Sequence, residues 1–130
     1  MLLVRKGGFA VAVVESGQVA GSKVGQRHVQ GRTKAGGQSQ QRFARRRDNQ
    51  ARQAYEAAAD HAQRVLTGRL DALVCGGDRP AVEQVLADPR LRGLAPLRVD
   101  PWLAVPDPRR AVLDQAILDA QSVAVDVTNA

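Results

Sequence analysis

Apolar residues fall along this chain in short runs whose spacing changes from one segment to the next. Phe9 to Val14 (Phe-Ala-Val-Ala-Val-Val) is continuously apolar and stops at Glu15-Ser16-Gly17, the pattern of a buried central strand followed by a turn. Gln18 to about Val29 is extended but poorly patterned, with Val19, Ala20 and Val24 as its apolar positions, and the Ser-Gly turn joins the two runs as a hairpin. Gln30 to Gln38 holds Gly31, Gly36 and Gly37 and no large apolar residue, so it predicts an exposed, mobile loop. Ser39 to Leu66 then lacks Pro and Gly and is rich in Ala, Gln, Arg and Glu, which predicts one helix on the order of 40 Å long. Its apolar stripe (Ala51, Ala54, Tyr55, Ala58, Ala62, Val65, Leu66) occupies only the second part. Before Ala51 only Phe43 and Ala44 are apolar, so the first turns are expected to project from the body.

The second half alternates. Leu70 to Cys75 reads as a strand; Asp78 as an N-cap with Pro80 in the first turn of a helix to about Ala87; Leu94 to Val99 as a strand despite Pro96, with Trp102 to Val105 continuing the core. Asp107-Pro108 predicts a cap and first-position proline for a helix to about Gln121, and Val123, Val125 and Val127 alternate with Ala124 and Asp126 as a closing strand. These elements predict a single α/β domain over residues 1–130. Its sheet is mixed, mostly parallel and five-stranded, with an N-terminal antiparallel hairpin, helices on both faces and one long projecting helix after a Gly-rich loop at about 30–41.

Charge changes this picture more than composition does. The chain of 130 residues carries a formal +6, but Lys23 to Arg52 holds nine Lys and Arg against Asp48 alone, so that window carries +8 and the other hundred residues sum to −2. A near-neutral body with one basic segment points to directed phosphate contact. Only four aromatics occur, too few for a platform of stacked bases, so binding is expected to lean on phosphates. One cysteine excludes an internal disulfide and fits a reducing compartment, with the cytoplasm as the expected location. The opening Met1 to Lys6 is too short for a signal peptide, and no stretch approaches eighteen apolar residues, so no membrane role is expected.

Most candidate chemistry reads as ordinary. Cys75 ends an apolar strand and is expected to be a buried small residue; His28 and His61 lack metal-ligand spacing; Glu15, Asp71, Asp78, Asp100 and Asp126 lie at strand ends or turns. A metal-dependent nuclease would want an acid within the first strand, and Phe9 to Val14 has none, so neither a metal nor a cofactor is expected. Gly36-Gly37-Gln38 is set apart by the arginines downstream of it. Arg42, Arg45, Arg46 and Arg47 oppose the helix dipole at the start of a helix, an objection that a bound phosphate reverses.

The run Lys34 to Asn49, with Gly-Gly-Gln-Ser-Gln-Gln-Arg-Phe-Ala-Arg-Arg-Arg-Asp-Asn, resembles the Vms-like release factor (VLRF) family, especially its actinobacterial branch. It is also similar to the Gly-Gly-Gln-bearing central domain of eukaryotic and archaeal class I release factors. Gly76-Gly77-Asp78-Arg79-Pro80 and Val105-Pro106-Asp107-Pro108-Arg109-Arg110 look like the same branch. The resemblance implies peptidyl-tRNA hydrolysis at the ribosomal peptidyl-transferase centre, with ribosomal RNA and peptidyl-tRNA as partners, in rescue of stalled ribosomes. By it, Gly36, Gly37 and Gln38 form the catalytic tripeptide, and Arg32, Lys34, Arg42, Arg45, Arg46, Arg47 and Arg52 contact RNA. Class I release factors carry a separate domain that reads the stop codon, which these residues do not supply, so codon-independent action is expected. Two other readings stay open at this point: a noncatalytic ribosomal or transfer RNA-binding module, and a metal-independent tRNA endonuclease.

Overall fold

In a computed structural model, the backbone is described for residues 1–26 and 40–129 and the side chains for 1–26 and 52–122. Strands β1 (Leu2–Arg5), β2 (Gly8–Glu15), β3 (Gln18–Gln26), β4 (Leu73–Gly77) and β5 (Arg98–Leu103) form one five-stranded sheet in the order β3-β2-β1-β4-β5. β1 pairs antiparallel with β2 and parallel with β4; β2 and β3 are antiparallel, β4 and β5 parallel. The sheet is therefore mixed, half parallel and half antiparallel rather than mostly parallel. Helices α1 (Gln40–Val65) and α2 (Arg79–Leu86) cover one face, and α3 (Arg110–Asn129) covers the other.

Alternation along the strands makes the two cores. Leu2, Val4, Phe9, Val11, Leu73 and Cys75 face α1 and α2, where Ala58, Ala59, Ala62, Val82 and Val85 meet them. Leu3, Ala10 and Ala12 face α3, against Leu113, Ala116 and Ile117. Alanines on α1 in the first core, and on both β2 and α3 in the second, keep the side chains between helix and sheet small. The β2–β3 hairpin turns at Ser16 (φ 53°) and Gly17 (φ 80°), two consecutive left-handed residues, as the tight hairpin predicted from Ser-Gly requires. At the end of β4, Gly77 (φ 96°) brings its backbone against the Val4 carbonyl, where a Cβ would clash, and the next N–H, that of Asp78, donates to the same oxygen at 2.9 Å.

The structure corrects the sequence reading in four places. β1 has no counterpart among the predicted strands: Leu2-Leu3-Val4 is short, yet it is buried on both faces at the centre of the sheet. The closing strand predicted at Val123 to Val127 is instead the continuation of α3 to Asn129. No Gly or Pro interrupts that helix, and Ser122 Oγ donates to the Leu118 carbonyl at 3.0 Å without breaking its course, so cooperative helix extension outweighs the β propensity of alternating valines. The strand predicted at Leu94 to Val99 begins only at Arg98, because Pro96 lies in a 3-10 turn at Ala95–Leu97. Pro101 is accommodated within β5 because β5 is an edge strand. The third helix starts at Arg110 rather than at Asp107-Pro108, and the Leu113 N–H donates to Arg109 O at 2.9 Å.

The central position of β1 has a direct test in urea unfolding. Leu3→Ala, at a fully buried site, is expected to cost about 2–5 kcal/mol. Leu118→Ala, on the outer face of α3 and 57% exposed, is expected to stay within ~0.5 kcal/mol of the unaltered protein.

Candidate functional site

The segment that carries Gly-Gly-Gln leaves the sheet after Gln26 and rejoins the described chain at Gln40. Gln26 is paired with Gly8, so the exit lies beside the β1–β2 turn. α1 is anchored through its second half. The His61 ring stacks on Phe9 with centroids 5.4 Å apart, Val65 lies 4.0 Å from where a Cβ on Gly21 would be, and Ala54, Ala58, Ala59, Ala62 and Leu66 are buried. Phe9 pairs with Gly25 and Val13 with Gly21, so stepping from Val65 back to His61 runs toward the end where Gln26 leaves the sheet. Among the described residues of α1, burial begins at Ala54; Arg52 is exposed.

Of the residues singled out from sequence, Arg32, Lys34, Gly36, Gly37 and Gln38 lie outside the described residues, as does the rest of the predicted loop before Gln40. Arg42, Arg45, Arg46 and Arg47 have helical backbone within α1, and their side chains lie outside the described set. His28 also falls outside it.

A charge cluster ties α1 to the turn after α2. Arg90 Nε donates to Asp88 Oδ1 at 3.0 Å and Nη2 to Asp88 Oδ2 at 2.9 Å, a bidentate fork, while the Arg90 backbone N–H also donates to Asp88 Oδ1. Nη1 reaches across to Asp60 on α1. These bonds from the Arg90 side chain, then from its backbone, hold the Asp88 carboxyl down at about 2, and the Arg90 guanidinium lowers Asp60 as well. Because both carboxyls are depressed in the folded chain, their contribution is complete above the ordinary carboxylate range and is lost as pH falls below it, for Asp88 toward about 2.

Among the described residues, two depressions open on the body. One, of about 640 Å³, lies between the β2–β3 turn, the α1–β4 connection and α3. The other, of about 430 Å³, runs between α2 and the edge strand β5. In this second groove the Arg79 guanidinium stacks over the Trp102 ring at 4.4 Å, Arg98 Nε donates to the Ala95 carbonyl at 3.2 Å, and Glu83 and Asp100 balance the charge. Cys75 forms part of its lining at 3% exposure, and burial pushes its thiol up to about 11. A thiol so placed stays protonated at neutral pH and is a poor nucleophile, in keeping with the expectation for this residue. The described residues hold no group of three His, Cys, Asp or Glu able to bind a metal, and no described helix is long and apolar enough to cross a membrane. Asp78 does precede α2, with Pro80 in the first turn, but its side chain makes no capping bond.

The sequence model of the family described as Actinobacteria/chloroflexi VLRF1 release factor matches residues 1–126. The chain belongs to this family. No curated protein matches it. For this member of the VLRF1 release factors, the family implies a release-factor-like role, a hydrolase-like activity and interaction with the ribosome. The match takes in the whole described sheet and reaches from β1 well into α3, including the turn at Gly76 to Pro80 and the loop before α3. The α2–β5 groove escapes a reading of the sequence, because Arg79 and Trp102 meet only through the β4–β5 pairing.

Two measurements probe these side chains. Arg90→Gln is expected to lower the urea midpoint at pH 7 and to flatten the loss of stability between pH 5 and pH 2 relative to the unaltered protein. Cys75 is expected to resist thiol reagents at pH 8 until the chain is unfolded, and Cys75→Ala to leave ribosome-dependent activity unchanged.

Proposed function

We propose that this protein is a peptidyl-tRNA hydrolase that enters the ribosomal peptidyl-transferase centre and frees nascent chains from stalled ribosomes without reading a stop codon. The observation that carries the reading is the release-factor family match over residues 1–126, which spans the Gly36-Gly37-Gln38 run and the arginines behind it. Residues 1–130 act as one catalytic domain in the cytoplasm, with no cofactor.

In this reading α1 works as an arm. Its second half, from Ala54 onward, is packed on the body, and at 1.5 Å per residue the 14 residues from Ala54 back to Gln40 extend it about 20 Å further along its axis. Arg42, Arg45, Arg46, Arg47 and Arg52, with Arg32 and Lys34, hold RNA phosphates and fix the position of the tripeptide. Gly36 and Gly37 allow backbone to approach crowded RNA where a side chain would collide. Water attacks the ester carbonyl carbon that links peptide to tRNA. The backbone N–H of Gln38 donates to the oxyanion that develops, and its side chain orients and restricts the water. The acyl–oxygen bond then breaks, the tRNA ribose oxygen takes a proton, and the peptide leaves as its carboxylic acid. No carboxylate or histidine base is needed, which agrees with a charge pattern built for phosphate binding.

Release of nascent peptide from ribosome-bound peptidyl-tRNA lacking a stop codon tests this, with the tRNA end analysed in the same reaction. The unaltered protein is expected to release peptide and leave tRNA intact, and Gln38→Ala, which keeps the backbone donor and removes the side chain that orients the water, to lower the rate by about two orders of magnitude. Shortened tRNA would instead assign RNA strand scission. Binding without release, unchanged in Gln38→Ala, would leave an RNA-binding module.

A further inference from the structure

Lys6 and the pair Arg109-Arg110 are about a hundred positions apart in sequence and are drawn to the end of the sheet where β1 turns into β2. Arg5 makes the join. Its Nη1 donates to the Val105 carbonyl at 3.1 Å, and its Nε lies 3.6 Å from Asp107 Oδ1, drawing the loop before α3 onto the β1–β2 turn. The Asp107 carboxylate is seated over Gly7, where a Cβ would stand 2.6–2.9 Å from its atoms, and the Asp107 carbonyl accepts the Arg109 N–H at 2.8 Å. Arg110 Nη1 donates to Ser22 Oγ on β3 at 2.8 Å, closing the group against the sheet edge.

Arg5 is engaged with Asp107 and Val105, so it builds the surface. Lys6, Arg109 and Arg110 are exposed and form no ion pair among the described residues; Asp114, one turn beyond Arg110, forms none either, and the first turn of α3 contains no acid. Cations gathered this way repel one another, and a polyanion laid across them reverses the sign of that cost. Their place also matters. Gln26, from which the chain departs toward Gly36-Gly37-Gln38, is paired with Gly8, two residues from Lys6. The basic window of the sequence and this separate group therefore issue from the same end of the sheet.

We propose that Lys6, Arg109 and Arg110 form a second phosphate-contact surface, on the body of the protein, that takes the sugar-phosphate backbone of ribosomal RNA while the Gly-Gly-Gln segment reaches the peptidyl-tRNA. The proposal rests on the ribosome as partner and adds a contact that the basic window between Lys23 and Arg52 does not supply. Surface cations at fixed positions contribute mainly to binding and its salt dependence, so they govern docking and leave the chemical step alone.

The test compares the unaltered protein with Lys6→Gln/Arg109→Gln/Arg110→Gln in binding to large ribosomal subunits and to a uridine homopolymer, over a range of salt from about 50 to about 200 mM. The triple variant is expected to bind subunits at least about tenfold more weakly at low salt, with the slope of log K against log salt reduced by about 2–3. Lys6→Arg/Arg109→Lys/Arg110→Lys, which keeps the charges, and Ser22→Ala, which removes the hydroxyl partner of Arg110 without touching charge, are both expected to bind like the unaltered protein. In peptide release the triple variant is expected to raise KM and keep kcat. Equal affinity and slope for the triple variant would overturn the surface while leaving the hydrolase reading standing. Charge-dependent binding with no peptide release would do the reverse. A loss in Ser22→Ala as large as that in the triple variant would assign Arg110 to the fold, and charge-dependent binding to anionic lipid vesicles alone, with none to either RNA probe, would overturn RNA as the partner.

Discussion

Four residues carry the weight of this architecture. β1 is the strand through which the antiparallel half of the sheet and the parallel half are hydrogen-bonded to one another, with β2 on one side and β4 on the other. Leu2 and Val4 point into the core under α1 and α2, and Leu3 into the core under α3, all of them 0–1% exposed. A strand buried on both faces and paired on both edges leaves no freedom of register, since a one-residue slip would exchange the two cores. The position of the hairpin relative to α2, and hence of the chain's exit at Gln26 relative to the anchored part of α1, depends on that register.

The sequence makes some of this legible and conceals the rest for reasons that can be named. Hairpin, α1 and α2 are readable because each has a strong local signal: paired left-handed turn residues, a long stretch free of Gly and Pro, and a proline in the first turn. Five strands are expected and five are found, yet one of the five is assigned to the wrong end of the chain. Leu2-Leu3-Val4 is too short to show a period, and its identity comes from tertiary pairing. The alternating valines after Gln121 show a period of two that the helix already under way overrides. Pairing with distant strands, which no local pattern encodes, decides the first case, and cooperative helix continuation decides the second.

The site divides in the same manner. The basic window and the proposed Gly-Gly-Gln tripeptide are contiguous, so charge counting and a short motif single them out as candidates without a fold. The group of Lys6, Arg109 and Arg110 is built by Arg5 reaching Val105 and Asp107 across the sheet end, and no window of any length would collect it. The Arg79–Trp102 pair in the α2–β5 groove is likewise a product of β4–β5 pairing. Contiguous chemistry is visible in sequence; chemistry assembled by topology requires the sheet.

The segment between Gln26 and Gln40 is bounded by β3 at one end and by α1 at the other, which makes it a connection between two elements of the domain rather than a tail. Closure entropy rises only slowly with contour length, by about 0.6 kcal/mol for each doubling. Insertions between those two elements would thus cost the fold little. Stability in this chain is consequently the business of the sheet and its packed helices, and responds only weakly to the number of residues that join β3 to α1.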